Sequence, residues 1–99
     1  MGAGPFVPYP GGANSILNIT AATVVKAAPG AVYNVSVNVA GTAAGGVYDA
    51  STTGGNTAAN LMYAINDTLG TVVPGGGSPF FNGLLIVPPT GGTVSVFFQ

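Results

Sequence analysis

The chain has 99 residues, of which one is Lys or Arg, two are Asp or Glu, and none is His or Cys. This length fits a single small domain, and the absence of cysteine excludes disulfides. The charged fraction is 3%, against about 25% in ordinary soluble proteins. Nucleic acid is therefore not an expected partner, because phosphate binding needs several Lys or Arg residues. Since 47% of the residues are apolar, we expect a folded protein.

Residues 1–15 are rich in Pro and Gly and carry two aromatic residues, Phe6 and Tyr9. Proline fixes φ and removes backbone donors, so this stretch is predicted to be neither a helix nor a central strand. The alternatives are a frayed tail and an extended arm whose aromatic side chains dock on a neighbour, and we favour the arm. The stretch lacks the basic region and apolar core of a signal peptide, so we expect synthesis in a cytoplasm. No apolar run approaches about 18 residues, which argues against membrane insertion.

From Ile16 onwards the sequence is typical of β-structure, beginning with ILNITAATVVKA. After a turn signal at 28–30, AVYNVSVNV alternates strictly and predicts a half-buried strand. One face of this strand is expected to carry Tyr33, Val35, Val37 and Val39. A Gly-rich loop, a short strand VYDA and a second loop STTGGNT follow. AANLMYAI fits either a helical turn or a strand, and its short length favours a strand.

The C-terminal third is predicted to contain further short strands. TVV precedes a long turn, PGGGSP, and SPFFNG is expected to be a loop. NGLLIVPP is predicted to be a short strand, either buried or at an edge, because Pro88 ends it. TGG is expected to make a hairpin turn into TVSVFFQ, where Val94, Val96 and Phe98 face one way.

About seven short strands separated by Gly-rich turns are typical of an antiparallel sandwich or barrel. The predicted fold is therefore all-β, a small antiparallel β-sandwich or jelly-roll-like barrel over residues 16–99 with an N-terminal arm over residues 1–15. The strand edges of such a domain also suit strand addition between subunits.

Catalytic and ligand-binding groups are scarce. Without His or Cys the usual general bases and nucleophiles are missing, and we expect no enzyme activity, no cofactor and no metal. The sequence DTLG at 67–70 departs from the Asp-Thr/Ser-Gly of retroviral aspartic proteases by an inserted leucine. Asp67 is therefore predicted to be a turn residue that bonds nearby amides. Oxygens of Asp49, Thr52 and Asn56 could contribute to a Ca²⁺ site, but one carboxylate makes a weak site.

Asp49 is one of the two acidic residues and follows the apolar pair in VYDA. At a strand end, Asp can accept backbone N–H groups and define the next loop, which is the role we expect for it. Pairing with Lys26, the only cationic side chain, is the alternative.

Phe80 and Phe81 are adjacent, and adjacent residues on a strand point to opposite faces. One of them is thus expected to meet a neighbouring subunit, unless both fold back onto the open end of the sandwich.

The stretches TVVKAAPGAVYNVSVNVAGTAAGGVYDA and GLLIVPPTGGTVSVFF resemble small β-sandwich structural proteins encoded in the morphogenesis regions of tailed bacteriophages. The resemblance runs roughly from Ile19 to Phe98. It is carried by a PG turn, an alternating Val strand, an AGT loop, a VYD strand and a closing GG-TVSV segment. The family includes capsid decoration, or cement, proteins and fibre components.

The resemblance implies a non-enzymatic decoration protein that binds the major capsid protein on the outer surface of a virion and stabilises the capsid. Such a protein would be made in the host bacterial cytoplasm and act as a homotrimer. The residues expected to contact the capsid are Phe6, Val7, Tyr9 and Pro10. Subunit contacts are expected at Phe80 and Phe81. The alternative is a fibre or tail-associated module that recognises host-surface glycans, with Tyr48 or Tyr63 as an aromatic platform.

Overall fold

The structure, a computed structural model, describes residues 14–72 and 77–99. The described residues form nine strands: β1 Asn14–Ile19, β2 Thr23–Lys26, β3 Gly30–Val39, β4 Gly45–Asp49, β5 Leu61–Ile65, β6 Gly70–Val72, β7 Ser78–Phe80, β8 Leu84–Val87 and β9 Thr93–Phe98. Two single-turn 3₁₀ helices, Thr53–Gly55 and Ala58–Asn60, lie between β4 and β5. In these two ranges no helix has the length and apolar character needed to cross a membrane.

The strands form two antiparallel sheets that pack against each other. The first sheet has the order β1-β9-β3-β6, and β7 also pairs with β3. The second sheet has the order β2-β8-β4-β5. The predicted small antiparallel β-sandwich is therefore confirmed. β1 begins at Asn14, ahead of the predicted domain boundary at residue 16, and the predicted arm otherwise lies outside the described residues.

The core lies between the two sheets and is built from branched aliphatic side chains and two phenylalanines. Both sheets contribute, because each strand face that points inward presents every second residue. The buried cluster consists of Ile19, Val32, Val35, Val37, Val47, Ile65, Phe80, Leu84, Ile86, Val94, Val96 and Phe98. The inward face predicted for β9, with Val94, Val96 and Phe98, is confirmed.

The strand predicted from AVYNVSVNV is present as β3, but its predicted face is partly wrong. Val32 pairs with Phe98 of β9, and Asn34 pairs with the residue that precedes Phe98. Tyr33 is therefore an extra residue, a β-bulge that shifts the alternation by one position. The buried residues of β3 are Val32, Val35 and Val37. Tyr33 is only half-buried, and Val39 at the end of the strand is 51% exposed.

The stretch ILNITAATVVKA forms two strands that belong to different sheets. β1 pairs with β9 in the first sheet and β2 pairs with β8 in the second, so residues 20–22 cross between the sheets. In AANLMYAI, the strand that the short length favoured is confirmed as β5, and the residues before it form a 3₁₀ turn. SPFFNG was expected to be a loop, but Ser78–Phe80 is a strand that pairs with the start of β3.

The hairpin predicted at TGG is wrong, because β8 and β9 lie in different sheets. Pro88 and Pro89 have no N–H to donate, so they end β8 and let the chain leave its sheet. The connection is held instead by the loop between β3 and β4: Thr42 N–H donates to the Thr90 carbonyl at 2.8 Å, and Thr90 N–H donates to the Ala43 carbonyl at 3.0 Å. β8 itself is buried, as one of the two alternatives predicted, since it lies between β2 and β4.

On the outer face of the first sheet, Ser95 links neighbouring strands through hydrogen bonds. Ser95 on β9 is only 5% exposed. Its hydroxyl oxygen accepts from the Asn38 side-chain amide at 2.7 Å and from the Asn18 N–H at 3.2 Å. Asn18 has a φ of 58°, a left-handed conformation that Asn tolerates better than most residues. These bonds satisfy a buried hydroxyl that would otherwise destabilise the sheet.

Candidate functional site

Asp49, the last residue of β4, holds the turn of residues 81–83 through its carboxylate. The Phe81 N–H lies 3.0 Å from each carboxylate oxygen, the Asn82 N–H donates to Oδ1 at 2.7 Å, and the Gly83 N–H donates to Oδ1 at 3.3 Å. This turn joins β7 to β8 and crosses from one sheet to the other. The expected use of Asp49 as an acceptor of backbone N–H groups is confirmed, but the turn that it defines lies 32 to 34 positions further along the chain.

The ionisation of Asp49 is set by two opposing effects. Burial raises the pKa of the carboxyl, whereas hydrogen bonds from the N–H groups of Asn82, Phe81 and Gly83 lower it. The hydrogen bonds prevail, and the pKa of Asp49 lies below its ordinary value of 3.8. The three donors stabilise the charged form in preference to the neutral one, so the turn is held most firmly when Asp49 is ionised.

Phe80 and Phe81 point in opposite directions, as expected for neighbours in an extended segment. Phe80 is 0% exposed and lies in the core, while Phe81 is 71% exposed. The predicted subunit contact of Phe80 therefore needs correction, since its side chain fills the interior of its own chain. The alternative in which both rings fold back onto the sandwich is also wrong. Of the two rings, only Phe81 is exposed to a neighbouring molecule. It is the most exposed large apolar side chain among the described residues.

Two other roles were considered for Asp49, an ion pair with Lys26 and a contribution to a Ca²⁺ site. Lys26 is not among the hydrogen-bond partners of the carboxylate. Lys26 and Asp49 both pair with Leu84, on opposite sides of β8, which places their backbones two strand spacings apart. Among the described residues, the hydrogen bonds of the Asp49 carboxylate come from the N–H groups of residues 81–83, and none joins it to Thr52 or Asn56, the residues considered with it for a Ca²⁺ site. Residues 14–72 and 77–99 contain no cluster of His, Cys, Asp or Glu able to hold a metal ion.

A pocket lies at the turn between β5 and β6. It has a volume of about 130 Å³ and is lined by Val37, Asn66, Thr68, Leu69, Gly70 and Thr71. We call it the Leu69 pocket, after the exposed leucine beside it, which is 67% accessible. All six lining residues are uncharged. An apolar Leu between the turn residues Thr68 and Gly70 is the sequence signal that would have pointed to this site.

Asp67 lies in the same turn without lining the pocket. Its backbone carbonyl accepts from the Gly41 N–H at 2.8 Å, which ties the turn to the loop between β3 and β4. The turn position predicted for Asp67 is thus correct. The predicted bonding of its side chain to nearby amides does not occur among the described residues.

The two tyrosines considered as a glycan platform are both half-buried. The Tyr63 ring packs against the core, and its hydroxyl is hydrogen-bonded to the Ser78 hydroxyl. The Tyr48 ring lies beside Gly46, where an added methyl group would come within 2.7 Å of it.

The four residues expected to contact a capsid, Phe6, Val7, Tyr9 and Pro10, lie outside the described residues.

The fold and these two surface features define the chain as a small antiparallel β-sandwich with an exposed aromatic turn and a neutral pocket. In comparisons with known proteins, no protein-family model, no curated protein and no solved structure matches this chain.

Proposed function

We propose that this protein is a non-enzymatic structural subunit that binds the outer surface of a bacteriophage capsid and stabilises it. The observation that carries the proposal is the exposure of Phe81 on a turn that Asp49 holds in place. An exposed aromatic ring on a rigid support is the kind of group that anchors a protein interface, because its burial gains apolar contact with little loss of conformational entropy.

Other apolar side chains are spread over the same small surface. Among the described residues, the large ones exposed by 45% or more, besides Phe81, are Leu17, Val39, Leu61 and Leu69. With one basic and two acidic residues, the chain also has little charge with which to repel its neighbours. Many copies of such a domain can therefore pack side by side on a shell, which supports a coat protein made in the host cytoplasm and assembled, as a homotrimer, onto the major capsid protein.

Copy number tests this proposal against its alternative. Quantitative gel densitometry of the purified particle should find hundreds of copies of the chain for a decoration protein. A few copies per particle would contradict the proposal and favour a fibre or tail component. That alternative needs an exposed aromatic platform for glycans, and the half-buried state of Tyr48 and Tyr63 makes it the weaker proposal.

Direct binding tests the capsid contact. Particles assembled without this chain should bind the purified protein in a co-sedimentation assay and then withstand heating better than unbound particles. Deletion of residues 1–12 tests the expected contacts of Phe6, Val7, Tyr9 and Pro10, since the deletion leaves all nine described strands in place. Full binding by the truncated protein would refute the proposed role of the arm, and absence of binding by the intact protein would refute the decoration function.

A further inference from the structure

Asn82 is the one asparagine of the chain that precedes a glycine. It is exposed on the turn between β7 and β8. Because glycine has no Cβ, the backbone nitrogen of Gly83 is less hindered than the nitrogen that follows any other asparagine here. Attack of this nitrogen on the side-chain amide carbon of Asn82 closes a five-membered ring. The sequence therefore contains one place where the chain can modify itself without an enzyme.

The reaction has two steps, and water is its only co-reactant. In the first step the Gly83 nitrogen gives up its proton and bonds to Cγ of Asn82, while the Cγ–Nδ2 bond breaks and the side-chain nitrogen leaves with that proton as ammonia. In the second step the hydroxyl of a water molecule adds to one of the two ring carbonyl carbons, and its remaining hydrogen returns to the Gly83 nitrogen. The product is aspartate or isoaspartate at position 82, and no oxidation or reduction takes place.

The fold holds the attacking nitrogen in a network of hydrogen bonds. The Gly83 N–H donates to Oδ1 of Asp49 at 3.3 Å, and the Asn82 N–H donates to the same oxygen at 2.7 Å. The attack requires the nitrogen to lose its proton, and a neighbouring carboxylate disfavours the resulting negative charge. An ionised Asp49 therefore opposes the step with which the reaction begins.

Gly83 is also fixed in position by its neighbours. Its carbonyl oxygen accepts from the Ala50 N–H at 3.2 Å. The Ala50 and Lys26 carbonyl oxygens each lie 2.7 Å from where a methyl group on Gly83 would stand. Ring closure needs the reacting atoms aligned and within about 3.5 Å of each other. Since closely packed backbone leaves the nitrogen little room to move, the turn must open before the ring can form.

The modified residue weakens the turn that carries it. Either product places a second carboxylate on the residue whose N–H donates to Asp49, and two like charges close together are unfavourable. Isoaspartate also adds one carbon to the main chain between Phe81 and Gly83, which displaces the N–H groups that Asp49 binds. A turn that has opened and reacted is therefore less able to close again.

We propose that Asn82 is a site of spontaneous deamidation that becomes reactive when Asp49 releases the turn of residues 81–83. The carboxylate thereby determines how long the turn survives unmodified. This proposal goes beyond capsid binding and concerns the isolated protein, so either proposal can fail without the other.

The test follows deamidation during incubation at mildly alkaline pH by mass spectrometry of proteolytic peptides. In urea, where the turn is absent, the unmodified protein should deamidate faster at Asn82 than at any other asparagine. Under folding conditions, Asp49→Asn should accelerate the reaction at Asn82 by at least about fivefold, which corresponds to a loss of about 1 kcal/mol in the stability of the closed turn. Asp67→Asn makes the same chemical change in the turn between β5 and β6 and should leave the rate unchanged.

A further variant distinguishes release of the turn from unfolding of the whole domain. Gly45 and Asp49 lie at opposite ends of β4, so Gly45→Ala destabilises the fold away from the turn. Local opening costs less free energy than global unfolding, so this variant should deamidate at Asn82 within about twofold of the unmodified rate. The deamidated protein, separated by its added negative charge, should unfold at a lower urea concentration than the unmodified protein.

Several outcomes would overturn the proposal. Equal acceleration by Gly45→Ala and Asp49→Asn would mean that the reaction requires global unfolding. An unaccelerated Asp49→Asn protein would mean that the carboxylate does not protect the site. An Asn82 that is no more reactive in urea than the other asparagines, or a deamidated protein with an unchanged urea midpoint, would equally contradict it.

Discussion

At the scale of single residues, Asp49 connects two distant parts of the chain. Its carboxylate belongs to β4, but the amides that it accepts lie in the turn that presents Phe81. Charge-assisted hydrogen bonds to backbone N–H groups are stronger than neutral ones. One acidic side chain therefore fixes both the crossing between the sheets and the position of the exposed ring.

The lowered pKa of Asp49 predicts that the protein is destabilised by acid. Because the folded-state pKa lies below the unfolded value of 3.8, the stabilisation is present above that pH and is lost as the pH falls through the folded-state value. Asp49→Asn should lower the free energy of unfolding at pH 7 by about 1 kcal/mol, a modest value because the site is partly exposed. It should also flatten the dependence of stability on pH below about pH 4.

Urea denaturation at several pH values measures both effects. Asp67→Asn is the matched control, since no hydrogen bond to the Asp67 side chain occurs among the described residues, and it should leave stability at pH 7 unchanged. Equal losses for the two substitutions at pH 7 would show that the bonds to residues 81–83 do not stabilise the fold.

Gly45 at the start of β4 is required by close packing against the end of β8. A methyl group at this position would overlap the Val87 carbonyl oxygen and stand 2.7 Å from the Pro88 carbonyl carbon. Backbone atoms cannot move aside as a flexible side chain can, so Gly45→Ala should cost about 1–3 kcal/mol of stability. Gly54→Ala is the control, because nothing lies within 4 Å of the added methyl group.

Thermal unfolding of both alanine variants checks this contrast. The Gly54→Ala protein should be unchanged or more stable by up to about 1 kcal/mol, since alanine restricts the unfolded chain. Indistinguishable unfolding midpoints for the two variants would contradict the packing described for Gly45.

At the scale of elements, β8 is the strand on which the second sheet depends. It lies between β2 and β4, and three of its four residues are 0% exposed. Leu84→Ala should therefore reduce the free energy of unfolding by about 2–5 kcal/mol, because it removes buried contacts and leaves a cavity. Leu61→Ala makes the same chemical change at a position on the edge strand β5 that is 45% exposed, and it should cost less than about 1 kcal/mol.

Chemical denaturation measures the loss of unfolding free energy for each of the two variants, and the losses can be compared directly when the m-values agree. A loss for Leu84→Ala as small as that for Leu61→Ala would mean that β8 is not packed as described.

The edge strands β1, β2 and β5 each contain a bulge. Bulged edges protect both sheets from uncontrolled pairing with other strands.

At the scale of the whole molecule, three charged side chains leave little for salt to screen. The unfolding midpoint should therefore change by less than about 2 °C between about 10 mM and about 100 mM NaCl, although the Debye length falls from about 30 Å to about 10 Å. Differential scanning calorimetry at pH 7 measures this directly. A shift of several degrees would mean that electrostatic interactions, and not apolar packing, dominate the stability of this fold.

The sequence by itself determined the fold class and most strand positions. Alternating Val residues in β3 and β9, and Gly and Pro at the turns, are local signals that act within a few residues. They also identified Asp49 as an acceptor of backbone N–H groups and indicated that Phe80 and Phe81 point apart. The near absence of charge is equally a property of composition alone.

Only the tertiary structure decided which strands are neighbours and which side chains meet. Six connections, those after β1, β2, β3, β5, β7 and β8, change sheets. The sequence TGG is equally compatible with a hairpin between paired strands and with a connection that crosses from one sheet to the other. The bulge at Tyr33 arises from pairing with β9, and the amides held by Asp49 lie more than thirty positions away. These features depend on contacts between distant residues, which local sequence patterns do not encode.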